Sequence, residues 1–165
     1  MQEQIDLIRI LDCSSRRSNI PSASSPSALT RMKMQRQRDT YPEKQLRSML
    51  HRMGFRYRTH LEPIRGLRIH ADILFPRVKI ALFVDGCFWH SCPEHGTLPK
   101  ANREWWKHKL AINTERDERA EKTLRSQGWT VIRIWEHEDP EIASAAIAKT
   151  LREAYRTANL TLNSK

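Results

Sequence analysis

The stretch Ile80-Ala81-Leu82-Phe83-Val84-Asp85-Gly86-Cys87-Phe88-Trp89-His90-Ser91-Cys92-Pro93-Glu94-His95 organises the interpretation of the whole chain. Its first five residues are apolar and are typical of a buried strand. Gly86 then allows a turn, and two cysteines and two histidines follow within nine residues. Thiols and imidazoles at this spacing indicate a zinc site, although a histidine among them can instead be a catalytic base.

Composition limits the class of protein. The 165 residues fit one domain with a modest core plus tails. The formal net charge of +10 is typical of a nucleic-acid binder, and also of a merely soluble basic protein. No apolar run is long enough to span a bilayer and the N-terminus does not resemble a signal peptide, so we expect no membrane association. Three cysteines are not a disulfide framework, which favours a reducing cytoplasm.

The first half of the chain predicts one helix and several strands. Thr40 and Glu43 form a capping-box pattern before an apolar stripe, so a helix should begin there and end at Gly54. Residues 55–60 alternate like a half-exposed strand. Residues 71–75 predict the next strand, which should pair antiparallel with residues 80–84 because the connection is short.

The second half predicts helix, strand and helix. Asn102 can cap a long helix that Gly128 closes, with a break possible near Asn113; residues 129–135 predict a strand, and Asp139-Pro140 starts a final helix. The fold class is therefore α/β, a mixed sheet flanked by helices in two or three layers.

The ends of the chain differ from this domain in composition. Residues 12–30 are rich in Ser and Pro, and the extension over 1–30 is expected to be disordered, while residues 31–40 form a basic arm that is either helical or orders on binding an anion. The domain itself is expected over 31–157, with a frayed tail over 158–165.

Asp72 is a carboxylate within a predicted apolar strand. It either points to solvent from the open face of that strand or is buried and must be paired or bind a metal. The neighbouring strand leads directly to Asp85 and His90, so Asp72 and His90 should lie close together. A carboxylate, a histidine and a basic surface are the parts needed for Mg²⁺-assisted phosphodiester hydrolysis.

The thiols and imidazoles can form a structural zinc site. Cys87, Cys92 and His95 have spacings that suit three ligands, and His137, after the strand 129–135, is the best candidate for the fourth. The alternative is that both cysteines are plain buried thiols.

Several further features bear on function. Phe88 and Trp89 are either core aromatics or wedges that enter a base step. Glu43 is at least a capping residue. Asn113 and Asp117 lie one helical turn apart and either face one site or form a solvated helix face. Residues 31–70 carry eleven Lys and Arg against three acids, which near a nuclease-like centre favours contacts with phosphates.

Taken together, these residues resemble the very short patch repair (Vsr) DNA mismatch endonucleases of bacteria. The resemblance spans residues 32–137, and the run Gly86-Cys87-Phe88-Trp89-His90 is highly specific for it. It is also carried by Asp39-Thr40-Tyr41-Pro42-Glu43, Gly54-Phe55-Arg56-Tyr57-Arg58, Ala71-Asp72-Ile73, Asn113 with Arg116-Asp117, Gly128-Trp129 and Trp135-Glu136-His137. Many members have Pro at the position of Ala71, and some have His at the position of Asp85.

The resemblance implies a restriction-endonuclease-like fold with one structural Zn²⁺ and two catalytic Mg²⁺ ions. It implies an enzyme that nicks double-stranded DNA on the 5′ side of the thymine in a T·G mismatch left by deamination of 5-methylcytosine. It further implies a monomer in the bacterial cytoplasm, associated with the nucleoid when acting, with mismatch-repair proteins as further partners.

Carried over by position, the resemblance also implies roles for individual residues. Asp72 becomes the principal Mg²⁺ ligand and the carbonyl of Val84 the second. His90 becomes the general base, supported by Asp117, with Glu43 at the edge of the metal site. The zinc positions fall on Cys87, Cys92, His95 and His137, and the residues that intercalate between bases are Met32, Phe88 and Trp89.

Two other functions fit the residues less well. A restriction-like endonuclease would cut an unmodified target and would not need the Phe88-Trp89 wedge. A zinc-stabilised DNA-binding module would not need Asp72, His90 and Asp117.

Overall fold

The computed structural model describes residues 21–35 and 38–163. Its elements, in chain order, are α1 (Pro26–Met34), α2 (Tyr41–Arg52), β1 (Ile73–Phe75), a 3₁₀ turn (Pro76–Val78), β2 (Ile80–Asp85), α3 (Arg103–Ser126), β3 (Thr130–Trp135) and α4 (Pro140–Asn163). The predicted mixed α/β class is confirmed, and α3 runs without a break at Asn113.

The three strands form one mixed sheet in the order β1-β2-β3. β1 pairs antiparallel with β2, with Ile73 opposite Leu82, as the short connection predicted. β2 pairs parallel with β3, with Asp85 opposite Trp135. A parallel pair needs a long crossover, and α3 supplies it. The carboxyl ends of β2 and β3 therefore lie side by side, and the chain leaves both strands at the same edge.

Helices cover both faces of the sheet. On one face α2 and α4 pack against alternate strand residues, and this main core contains Leu46, Leu50, Ile73, Phe75, Ile80, Leu82, Ile134, Ala143, Ile147 and Leu151. On the other face Leu124 of α3 packs with Val131 and with Leu67, which lies in the segment between α2 and β1. Because side chains alternate along a strand, Phe83, Asp85 and Arg133 project toward the α3 face.

Residues 55–60 do not form the strand that alternation predicted. Among the described residues this segment makes only one isolated bridge, Arg58 to Leu74. Phe55 and Tyr57 nevertheless pack edge-on against Phe75, which accounts for the alternating pattern. The φ of +51° at His60 turns the chain out of an extended path.

The secondary structure at both ends of the predicted domain differs from the expectation. Residues 26–30, expected to be disordered, lie in α1, where Pro26 suits the first turn of a helix. The frayed tail was expected over 158–165, but α4 extends through this region as far as Asn163. β1 begins at Ile73 rather than at Ala71.

The disorder predicted for residues 1–20 falls outside the described residues, as do positions 36 and 37 of the basic arm. Within the described ranges, no helix has both the length and the apolar character needed to cross a bilayer.

Candidate catalytic and metal-binding centre

Asp72 lies directly before β1, at the end of the β1–β2 ladder. Its backbone N–H donates to the carbonyl of Leu82 (3.0 Å), and its Oδ2 accepts the N–H of Val84 (2.8 Å). The N–H and C=O of one strand residue point to the same side of the strand, so the carbonyl of Val84 also points toward the Asp72 side. Within the described chain, Oδ1 of Asp72 has no hydrogen-bond or ion-pair partner.

The environment of Asp72 opposes its ionisation. Burial raises the pKa of this carboxyl to about 6, the N–H of Val84 counteracts part of the effect, and the charges of Glu43 and Asp85 add to it. An oxygen-rich, partly desolvated site of this kind favours a bound cation, because a cation offsets the cost of burying the carboxylate. The donor set therefore fits a hard divalent metal.

Glu43 is both a capping residue and a neighbour of Asp72, so the interpretation as a cap and the implied place at the metal site are compatible. Its carboxylate is buried and accepts the backbone N–H of Asp39 (3.0 Å) and the hydroxyl of Thr40 (2.8 Å). His60 lies beside it, with Nε2 at 3.8 Å from Glu43 and 3.6 Å from Asp39. Asp39, Glu43 and His60 thus form a second group able to hold a metal, which no spacing in the sequence indicated.

His90 and Asp117 form a close pair. Nδ1 of His90 lies 2.6 Å from Oδ2 of Asp117. The carboxylate is an acceptor, so Nδ1 carries the proton and Nε2 keeps its lone pair when the ring is neutral. Burial alone would raise the pKa of Asp117, but the hydrogen bond from His90 and the positive charges around it lower that pKa. This geometry makes His90 able to accept a proton at Nε2.

Asn113 faces the same loop as Asp117. Its side-chain amide donates to the carbonyl of Trp89 (3.3 Å), and its side chain is buried. Asn113 and Asp117 therefore both contact residues 89–90, and they do not form a solvated helix face.

Sequence reasoning missed a salt bridge beside this pair. Asp85 is buried, and Arg133 of β3 binds both its carboxylate oxygens, at 2.5 and 2.6 Å. The same guanidinium lies 3.5 Å from Oδ2 of Asp117. A signal was present in the sequence, because Arg133 is the one charged residue in the otherwise apolar run 131–135.

The thiols and imidazoles form a separate group. Candidate ligand atoms of Cys87, Cys92, His95 and His137 all lie within 4.8 Å of one another. Nδ1 of His137 is 3.1 Å from Sγ of Cys87 and 3.8 Å from Sγ of Cys92. Tetrahedral zinc with ordinary bond lengths places its ligand atoms about 3.3–3.8 Å apart. The four residues therefore fit a closed zinc site with little rearrangement.

The parallel register explains why His137 reaches this loop. Cys87 and His137 each lie two residues beyond the paired residues Asp85 and Trp135. Glu136 fixes the same turn by accepting the backbone N–H of Cys87 (2.7 Å). Burial raises the pKa of the Cys87 thiol to about 11, with Cys92 and Glu136 adding to the effect. Thiolates at such a site need a nearby cation, which zinc would supply.

The aromatic residues of the loop line a cleft under α1. Phe88 packs edge-on against Trp89 and Trp106, with centroids 5.1 and 5.2 Å apart. Only Trp106 is buried; Phe88 and Trp89 are partly exposed. They share a cleft of about 450 Å³ with Leu29 and Met32 of α1. Phe88 and Trp89 therefore pack against neighbouring aromatic rings and also keep part of their apolar surface exposed.

Comparisons with known proteins identify the family of this chain. Residues 26–94 match the family described as "DNA mismatch endonuclease Vsr". The chain is 44% identical over 122 residues to the Type II nicking enzyme V.NaeI of Lentzea aerocolonigenes, covering 73% of this chain and 74% of that protein. It is 41% identical over 109 residues to the Type II nicking enzyme V.XorIIP of Xanthomonas oryzae pv. oryzae, covering 65% and 77%. It is 34% identical over 102 residues to the DNA mismatch endonuclease Vsr of Escherichia coli (strain K12), covering 60% and 62%. The chain belongs to the Vsr family of DNA endonucleases.

Proposed function

We propose that this protein nicks one strand of double-stranded DNA on the 5′ side of the thymine in a T·G mismatch, by Mg²⁺-dependent hydrolysis. The observation that carries the proposal is the 2.6 Å contact between His90 and Asp117 next to the strand end that holds Asp72. Asp85 connects the two parts, because it follows Val84 directly and its Oδ1 lies 3.7 Å from Nδ1 of His90.

In this proposal His90 is the general base. Asp117 holds the ring with Nδ1 protonated, so Nε2 accepts a proton from the attacking water. The water oxygen then bonds to phosphorus, and the bond from phosphorus to the leaving oxygen breaks. Asp117 stabilises the imidazolium that forms, as a buried carboxylate beside a catalytic histidine does.

Asp72 and the carbonyl of Val84 would hold Mg²⁺, with Glu43 at the edge of that site. The metal, when bound, neutralises phosphate charge and lowers the pKa of water. The proposal also includes a second Mg²⁺ ion, and a structural zinc ion held by Cys87, Cys92, His95 and His137. Zinc there would fix the loop that carries His90, because His90 lies between the two cysteines in the sequence.

Mismatch recognition would use the cleft between α1 and the aromatic loop. Phe88 and Trp89 present partly exposed rings, and Met32 on α1 is 44% exposed. Inserting apolar side chains between bases costs a few kcal/mol per step, less where pairing is already weak. A T·G pair would therefore admit the wedge more easily than a matched pair. The names of the relatives, nicking enzymes and a mismatch endonuclease, support single-strand cleavage.

The direct test uses two pools of end-labelled duplexes that differ only at one central pair. One pool has T·G and the other T·A, and the flanking positions are randomised in both. With Mg²⁺ we expect nicking of the T strand in the T·G pool, at the phosphate 5′ of the thymine. Sequencing the nicked products would give the preferred flanking sequence.

Other results would favour the other functions. Cleavage of both strands in the T·A pool would indicate a restriction-like enzyme with another target. Tight binding without cleavage in either pool, across Mg²⁺ and Mn²⁺, would indicate a DNA-binding module.

Trp89→Ala tests the wedge separately. We expect strong loss of T·G nicking and a smaller ratio of T·G to T·A rates, with zinc content unchanged. An undiminished preference for T·G in this variant would remove Trp89 from mismatch recognition and leave it as a packing residue.

A further inference from the structure

The starting observation is that His90 has two carboxylates within reach of one ring nitrogen. Nδ1 lies 2.6 Å from Oδ2 of Asp117 and 3.7 Å from Oδ1 of Asp85. Both carboxylates are largely buried, with side chains 17% and 6% exposed. Only one of them can accept the single Nδ1 proton in good geometry, so a neighbouring group must determine which carboxylate is the acceptor.

Arg133 determines the acceptor, because it binds the carboxylate of Asp85. Its Nε and Nη2 bind the two oxygens of Asp85 at 2.5 and 2.6 Å, an arrangement that engages both ends of the carboxylate. Asp85 is thereby engaged at both oxygens, whereas Asp117 accepts from Arg116 only at Oδ1 (3.1 Å) and keeps Oδ2 for His90. The guanidinium itself stays in place because it also lies over the ring of Phe83, 5.4 Å from its centroid.

The position of Arg133 is set by the sheet. Arg133 pairs in register with Phe83, two residues before Asp85, and both side chains face α3. α3 brings Asp117 to the same place, where Nη2 of Arg133 lies 3.5 Å from its Oδ2 and 3.4 Å from Nδ1 of His90. Because Nδ1 donates to Asp117, the approach of Arg133 to Nδ1 is a contact and not a hydrogen bond.

We propose that Arg133 is a positioning residue for the reaction: by occupying both oxygens of Asp85, it leaves Oδ2 of Asp117 as the acceptor for Nδ1 of His90 and so aims Nε2 at the attacking water. This inference rests on the proposed role of His90 as general base. It also gives Asp85 a role, that of the partner that holds Arg133 in place.

The variant that tests the idea is Arg133→Met, which keeps much of the length and removes both donors. Freed from Arg133, Asp85 competes for the Nδ1 proton and tilts the ring. Loss of an outer partner that orients a metal-ligating histidine typically costs about 10–100-fold in activity, and we take the same range for the partner that orients His90. We expect the single-turnover nicking rate at saturating DNA, counted per folded enzyme, to fall by about that factor. The Kd for DNA should stay within a few-fold of wild type.

A second change should reverse the defect. In Arg133→Met combined with Asp85→Leu the competing carboxylate is gone, so His90 should return to Asp117 and the rate should recover to within a few-fold of wild type. Arg125→Met is the matched control, since Arg125 also binds a carboxylate, Glu121, and a carbonyl of β3, yet does not contact His90 or Asp117. It should leave the rate unchanged. Should Arg133→Met not fold, Arg133→Lys keeps the positive charge but cannot bind Asp85 in a bidentate way, and it should show a smaller loss of nicking rate.

A readout without DNA or Mg²⁺ separates this inference from the proposed function. ¹H–¹⁵N spectra of histidine-labelled free protein report the hydrogen bond that Nδ1–H of His90 donates. Nδ1 carries the proton in both proteins, but we expect its signal to shift in Arg133→Met because the acceptor changes from Asp117 toward Asp85, even if the enzyme nicked nothing. An unchanged His90 signal in Arg133→Met, or a full single-turnover rate in folded Arg133→Met or Arg133→Lys, would overturn the proposal.

Discussion

Two groups of side chains leave the carboxyl end of β2, and they alternate in sequence but separate in space. Cys87, Cys92 and His95 turn toward His137, whereas His90, between the cysteines, turns toward Asp117. The first group offers soft and borderline ligands that can close around one ion. The second, with Asp72, offers carboxylates and an imidazole whose Nε2 is free to accept a proton.

The difference depends on β3, which contacts both groups of the loop that follows β2. β3 gives a partner to each group: Arg133, within the strand, faces the His90 group, and His137, just beyond the strand, faces the cysteines. The parallel register with β2 places both partners beside the loop. We therefore expect changes in the His90 group to impair chemistry without loss of folding stability, and changes in the cysteine group to lower folding stability.

The largest expected effect is on catalysis at Asp72. Asp72→Asn should reduce nicking to the level of a control without enzyme, because the amide cannot supply the charge that a hard cation requires. DNA affinity should stay within a few-fold, since it derives mainly from Lys and Arg contacts with phosphates. Gel-based nicking and a filter-binding titration measure both. Glu118→Gln, at an exposed acid on α3, is the control for a change of one charge. A comparable nicking rate in Asp72→Asn would exclude Asp72 from the mechanism.

A smaller loss is expected at His90. His90→Ala should slow the chemical step by about 10²–10⁴-fold, the usual contribution of a general base. Bound zinc, measured by mass spectrometry of the metal, should match wild type. His108→Ala, at an exposed histidine of α3, should change neither quantity. Loss of zinc in His90→Ala would place His90 among the ligands and merge the two groups.

The cysteine group should respond in the opposite way. Cys92→Ala should lose bound zinc and lower the melting temperature, because a closed zinc site contributes its binding free energy to folding. Soluble yield should fall as well. Cys13→Ala removes the one thiol outside this loop and should leave zinc content unchanged. A Cys92→Ala protein with wild-type melting temperature and zinc content would indicate plain buried thiols.

Much of this arrangement was predictable from sequence because short-range patterns determine it. The apolar run 80–84, the short turn before it and the capping box at Thr40 depend on neighbouring residues. Asn102 stands at the start of α3 as predicted, but its side chain makes no capping hydrogen bond. The sequence also predicted that Asp72 and the His90 loop would lie close together, because two adjacent strands lead to them. The four thiol and imidazole residues were predicted together, and the structure brings them within reach of one ion.

What the sequence did not reveal depends on contacts between distant segments. The Asp85–Arg133 salt bridge requires the parallel register of β2 and β3, which sequence patterns did not specify. The approach of His60 to Glu43 depends on a loop whose backbone turns through a positive φ. Residues 55–60 alternate because Phe55 and Tyr57 pack on Phe75, and alternation alone cannot distinguish such packing from a strand. The helical state of residues 26–30 and 158–163 was missed because composition is a weak guide to helix ends.

The smallest expected effect is a stability gain from the same Asp72→Asn change that abolishes nicking. The pKa of Asp72 is 3.8 in the unfolded chain and about 6 in the folded protein. As pH rises from about 4 to about 6, the unfolded chain releases its proton first, so this carboxyl lowers the free energy of unfolding, and the penalty is complete above pH 6. The linkage amounts to about 3 kcal/mol at most.

The amide introduced by Asp72→Asn would occupy the same space as the carboxyl, and its oxygen can still accept the N–H of Val84. Without added Mg²⁺, denaturant melts should therefore show the variant to be more stable than wild type at pH 7.5, by up to about 3 kcal/mol. The two proteins should converge below pH 4, where Asp72 is protonated in both states of the wild-type chain. Added Mg²⁺ should stabilise wild type and leave the variant unchanged, because a cation at this site relieves the penalty only where a carboxylate is present. A stability difference that persisted unchanged at pH 4 would show that burial of the Asp72 charge is not its cause.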